Sequence, residues 1–235
     1  MPLEDQAHPD PHHLPKQEKG VTPQMVGRYP TYDVLTQTRH WDEVTRRVVL
    51  DRLENVPPIR FFTPEEADTL KAFCDIATAQ DAEPRIPVLS YVDEKLHGGV
   101  GDGYQFFDLP GDGEVWRRLA RGLDEEARQL SFASFAAAPA EAQVGIVHRF
   151  SKAELHGGVW ETINVSRAWS VVMRYVVQAF YSHPWAWNEI GFGGPAYPRG
   201  YGAFGSPKLG EEESWEAKES VHYDPVRDTR ERGLD

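Results

Sequence analysis

The chain has 235 residues, 40% of them hydrophobic, and a formal charge of −12. That acidity speaks against nucleic acid, which needs a basic face, and against anionic membrane surfaces. No apolar run approaches the ~20 residues of a membrane span. The single cysteine, Cys74, excludes an internal disulfide, a Cys₄ iron–sulfur cluster and a C-x-x-C-H haem attachment.

Residues 1–30 are rich in proline, histidine and charge, and read as a flexible N-terminal arm with His8, His12 and His13 exposed on it. The arm has neither an apolar h-region nor an early arginine pair, so it does not read as a secretory or twin-arginine leader. The expected location is the cytoplasm, or export in the folded state on a partner's signal. Between His40 and Val56 the apolar residues Trp41, Val44, Val48, Val49 and Leu53 keep helical spacing, with Arg46-Arg47 on the polar face and Pro57-Pro58 as the stop. Thr63-Pro-Glu-Glu66 is a strong helix start, with Thr63 as N-cap, Pro64 at the first helical position and Glu66 closing a capping box. Ala67, Leu70, Phe73, Cys74 and Ala77 then share one face, which makes Cys74 a small buried hydrophobe.

A third helix is expected over Val88–His97, stopped by Gly98-Gly99, and residues 98–113 follow as a glycine-rich loop with three aromatics. Asp112 is expected to cap a long helix carrying Val115, Leu119, Leu123, Ala127 and Leu130. Pro139 starts another, with Val144 and Val147 inward, and Arg167–Tyr181 is the most apolar, with Trp169, Val172, Val176 and Phe180. The expected class is all-α: a compact helical bundle over residues 31–205, wrapped by long loops rich in Gly, Pro and aromatics. Residues 206–235, with Glu211-Glu212-Glu213, read as an acidic extended tail.

Few residues carry chemistry of their own. Leu96-His-Gly-Gly-Val100 recurs as Leu155-His-Gly-Gly-Val159; two helix stops explain the repeat better than a shared site for His97 and His156. His148, Glu154, His156 and His183 form another possible ligand set, without the close spacings of known metal motifs. No G-x-S-x-G surrounds Ser166 or Ser182, no G-x-G-x-x-G opens a βαβ unit, and Glu125-Glu126 reads as a solvated helix face. Trp160, Trp169, Trp185 and Trp187 are the residues that a sugar-stacking module would use. Trp169, on an apolar helix face, is expected in the core, while Trp185 and Trp187 point in different directions, leaving one to face outward.

The segment Ala179–Tyr201 concentrates Phe180, Tyr181, Trp185, Trp187, Phe192, Pro195, Tyr197, Pro198 and Tyr201 among Gly191, Gly193, Gly194 and Gly200. Ordering such a segment is entropically costly, so its aromatics must pack on this chain's core or on a partner. The run Tyr181-Ser-His-Pro-Trp-Ala-Trp-Asn-Glu-Ile-Gly-Phe192, with Gly194-Pro-Ala-Tyr-Pro-Arg-Gly-Tyr201, resembles the C-terminal signature of the gluconate 2-dehydrogenase subunit 3 family. Phe62–Leu70 and Pro87–Leu96 resemble that family's N-terminal helices, and the blocks together bracket roughly residues 60–201. Many family members carry a twin-arginine leader, from which this sequence departs.

The resemblance implies a non-catalytic small subunit that stabilises a flavin-dependent dehydrogenase oxidising a sugar, sugar acid or related alcohol. The partner it implies is a large FAD-bearing subunit of the glucose–methanol–choline type, often with a cytochrome acceptor, and no cofactor in this chain. On that reading Tyr181, Trp185, Trp187, Phe192, Tyr197, Arg199 and Tyr201 are the expected partner interface, since Trp, Tyr and Arg anchor protein interfaces. Two rival readings stay open: a metal-dependent enzyme using His148, His156 and His183, and a carbohydrate-binding module.

Overall fold

The computed structural model describes residues 32–81 and 83–195. Among them the secondary structure is helical, without a strand, and the class is all-α. A 3-10 helix at Val34–His40 precedes α1 (Glu43–Glu54), α2 (Pro64–Ala77), α3 (Val88–His97), α4 (Asp112–Gln129) and α5 (Ala140–Ser151). A second 3-10 helix, Gly158–Thr162, leads to α6 (Val165–Tyr181) and α7 (Pro184–Ile190). None of the described helices is long and apolar enough to cross a membrane. The arms assigned to residues 1–30 and 206–235, with His8, His12, His13 and the Glu211–Glu213 run, lie outside the described residues.

The described residues divide into two compact units, one within residues 56–182 and one formed by residues 32–55 with 183–195. In the first, α2 starts as its sequence dictates: Thr63 Oγ1 accepts from Glu66 N at 3.3 Å and Glu66 Oε2 from Thr63 N at 3.0 Å. α2 packs on α3, α4 and α5, and α6 on α3, α4 and α5. The side chains between them form a continuous aromatic core in which Trp116 meets Phe62, Phe73 and Tyr175, and Phe150 meets Phe73, Trp160 and Trp169. Cys74 is buried, and burial pushes its thiol well above the usual range.

Asp93 on α3, wholly buried, holds the segment that leads into α2. It accepts from the backbone N–H groups of Arg60 at 2.7 Å, Phe61 at 2.9 Å and Phe62 at 3.1 Å. Three donors that have no helix partner are thereby satisfied by one carboxylate.

Several sequence expectations give way to tertiary packing. α4 begins on Gly111, without a side-chain cap; Asp112 is its first residue and accepts from the Tyr175 hydroxyl at 2.8 Å. Leu130, past the helix end, is exposed. Glu126 is buried rather than solvated, because Trp160 Nε1 donates to it at 3.0 Å and Arg149 pairs with it at 2.9 Å. Glu125 accepts from Val159 N at 3.0 Å. Gly122 leaves the room that Trp160 occupies, since a Cβ there would press into the indole. Trp169 is only half-buried, on the rim of the core.

In the second unit the Val34–His40 helix and α1 both pack on α7. α1 starts later than the apolar spacing indicates. Asp42 is its N-cap, accepting from Thr45 N at 2.8 Å, and Trp41 lies before it. The face turned inward carries Val49, Leu50 and Leu53, whereas Val44 and Val48 are more than half exposed. Trp41 packs its ring against Gly194, where a Cβ would overlap the indole and where φ is +77°, so that only glycine fits comfortably.

Candidate functional site

The residues expected at a partner interface separate once the fold is known. α7 has His183 as N-cap, Pro184 in its first turn and Gly191 in the left-handed conformation at its end. Val34 N donates to Asn188 Oδ1 at 2.7 Å, tying the chain's early helix to α7. Trp185 is 7% and Trp187 8% exposed, so neither indole faces outward. The physical reason is that the 3-10 helix and α1 both cover α7, which removes the open side that two residues at 200° apart require. Phe192 is half-buried with its ring edge-on to Trp187, centroids 5.4 Å apart. Tyr181, at the end of α6, is 45% exposed. Tyr197, Arg199 and Tyr201 lie outside the described residues.

The candidate ligand histidines differ in setting. His183 is buried, its Nδ1 accepts from Trp185 N at 3.3 Å, and burial together with the Arg52 charge pushes its pKa down to about 3. His97, His148 and His156 are exposed. Among the described residues no group of three or more His, Cys, Asp or Glu side chains is arranged to hold a metal ion. The two LHGGV segments also differ. The first ends α3, with Gly99 at φ +65°. The second follows α5 by several residues and opens the Gly158–Thr162 helix, so only the first is a helix stop. Of the four tryptophans considered as a sugar platform, Trp160, Trp185 and Trp187 are buried and Trp169 is half-buried against Phe150. They form no exposed stacking surface.

The surface that stands out is the segment between α3 and α4. Val100 and Tyr104 are more than half exposed, and Phe107 is 92% exposed. An exposed phenylalanine on a slack loop would mean little, but this loop is braced at several points. Asp102 pairs with Lys95 of α3 and with Arg174 of α6, the latter at 2.7 Å. Asp108 pairs with Arg167 and accepts from Asn164 Nδ2 at 3.1 Å. These cations hold both carboxyls below the usual carboxylate range, hydrogen bonding to Lys95 acting first on Asp102 and to Arg167 first on Asp108. The Arg167 guanidinium also lies over the Phe106 ring at 5.3 Å and the Phe107 ring at 5.2 Å. Leu109 is buried and ties the loop's far end to the core.

Behind the loop lies a four-charge network. The Lys95 ammonium sits 4.5 Å from the Tyr175 ring centroid and donates to Gln178 Oε1 at 2.8 Å. Arg174 stands 3.6 Å from Asp112 Oδ2, the oxygen that also accepts from Tyr175. Burial and the bond to Asp112 push the Tyr175 phenol up, so it stays protonated and donating. By sequence this segment is a glycine-rich loop, and its three aromatics are the one signal there that points to a surface role.

No curated protein and no solved structure matches this chain. A family model does, over residues 64–194, which cover α2 through α7 and most of the interval bracketed by the two sequence blocks. On this match, spanning more than half of the chain, the protein belongs to the gluconate 2-dehydrogenase subunit 3 family.

Proposed function

We propose that this chain is the small, non-catalytic subunit of a flavin-dependent dehydrogenase complex that oxidises a sugar, a sugar acid or a related alcohol. Membership of a family of dehydrogenase subunits carries the reading. The large partner, of the glucose–methanol–choline type, would hold FAD and perform hydride transfer, passing electrons on to a cytochrome. This chain would stabilise the partner by binding its native state. It would act in the cytoplasm, or leave it folded on the partner's signal.

The braced 100–108 segment supports a docking role. A rigid apolar projection loses little entropy on binding, which is what distinguishes an anchor from a merely exposed side chain. Val177 and Tyr181, both exposed on α6, widen the apolar surface of the same unit.

Co-expression with FAD-bearing dehydrogenase subunits of the glucose–methanol–choline type from the same genome, followed by affinity measurement, tests the reading. Phe107→Ala should weaken the complex by about 2 kcal/mol or more, while changing the stability of the free chain by less than about 0.5 kcal/mol. Failure of any flavoprotein complex to form removes the accessory-subunit reading. A complex indifferent to Phe107→Ala, and equally to Tyr181→Ala, moves the docking surface elsewhere.

A further inference from the structure

Between the α3 end, the glycine-rich segment and the start of α4, on the inner side of the segment offered for docking, lies a cleft of about 450 Å³. Its size is within the range of small-molecule sites. One wall is aromatic. Phe61 packs on Gly113 and is held by the Arg117 guanidinium 4.3 Å from its centroid, and Tyr104 stands edge-on to Phe106. The floor is Tyr175, buried and fixed by its bond to Asp112.

The polar lining is mixed in kind. Asp112 spends Oδ2 on Tyr175 and Arg174, and its Oδ1 accepts no hydrogen bond among the described residues. Gln105 contributes an amide and Tyr104 a hydroxyl, while the first turn of α4 has no side-chain cap. Acceptors and donors therefore line the same space. The charges, by contrast, are closed on themselves, since Lys95 and Arg174 balance Asp102 and Asp112. A net charge of −12 on the whole chain further disfavours an anionic ligand.

Hydrogen-bonding groups of both kinds, an aromatic wall and no net charge select one chemistry. We infer that this cleft binds a neutral polyhydroxylated molecule of monosaccharide size. Its hydroxyl groups donate to Asp112 Oδ1 and accept from the amide and phenol groups. The C–H face of its ring or chain lies on Tyr104 and Phe61. The site lies wholly within this chain and shares residues 100–105 with the docking segment, whereas Phe107, the proposed docking anchor, does not line it.

Titration calorimetry of the full chain, without partner, against glucose, sorbitol and gluconate tests the inference. Glucose or sorbitol should bind with a dissociation constant on the order of a millimolar, and gluconate at least about tenfold more weakly. Asp112→Asn keeps an acceptor for the Tyr175 hydroxyl but removes the charge, and should weaken binding about tenfold. Tyr104→Ala should do the same with the melting temperature unchanged, because its ring is largely outside the core. Absence of binding by both neutral polyols overturns the inference, as does binding that neither substitution affects. Tighter binding of gluconate than of glucose overturns the neutral class.

Discussion

Trp160 donates its indole N–H to Glu126 Oε1 at 3.0 Å, deep in the larger unit, while Arg149 pairs with the second oxygen at 2.9 Å. One buried carboxylate thus joins α4 to α5 and to the short helix before α6. Breaking such an arrangement from one side leaves a buried group without its partner. Glu126→Ala strands the buried Trp160 N–H and empties part of the core, while the half-exposed Arg149 turns to solvent. It should therefore lower unfolding free energy by about 2–4 kcal/mol. Trp160→Phe, which strands only an acceptor and loses part of the ring, should cost less, about 1–3 kcal/mol. Urea unfolding of the two variants checks the order; equal and small losses would remove the carboxylate from this role.

Asp93 offers a second test of a buried acceptor. Asp93→Ala leaves the N–H groups of Arg60, Phe61 and Phe62 without their acceptor, at an expected cost of about 3 kcal/mol or more. Asp93→Asn retains one acceptor oxygen and should cost less. The loss should localise: amide hydrogen exchange over residues 60–62 should rise more in Asp93→Ala than exchange within α4.

Two groups on or beside α7 give stability opposite pH dependences. Burial and the Arg52 charge lower the His183 pKa to about 3 from an ordinary value of 6.5. Its neutral form is the native one, so its contribution is full above pH 6.5 and is lost as pH falls towards 3. Burial raises Glu189 from 4.5 to about 7, so its contribution is full below pH 4.5 and is lost as pH rises towards 7. Between pH 4.5 and 6.5 the two slopes oppose. His183→Asn, which can still cap α7, should reduce the acid-side loss by about 3 kcal/mol. Glu189→Gln, discounted for partial exposure, should recover about 1 kcal/mol at neutral pH. Melting temperatures across this range, for wild type and each single variant, separate the two contributions.

Cys74 should be inert in the native protein. Its burial and its raised thiol pKa leave almost no thiolate at neutral pH. A thiol reagent should label it only in denaturant, at the rate of global unfolding. Rapid native labelling would mean that α2 opens locally.

The sequence by itself determined the helical class and the start of α2, because a capping box is written in four consecutive residues, Thr63 to Glu66. It also determined the span of α3, since the Gly98-Gly99 stop lies at the helix end. The family was legible for the same reason: the Trp185-Ala-Trp187 and Gly-Pro run is a local pattern of residues. What only the tertiary structure decided depends on partners distant in the chain. The inward face of α1 follows from its packing on α7, and so does the burial of both Trp185 and Trp187. Glu126 is core rather than surface because Trp160, more than thirty residues later, brings it a donor. The glycine-rich segment became a braced surface only through Arg167 and Arg174 on α6, whose charges meet Asp108 and Asp102 across a long loop of chain. Helix signals act over one turn and can be read from neighbours, whereas burial and ion pairing act through space.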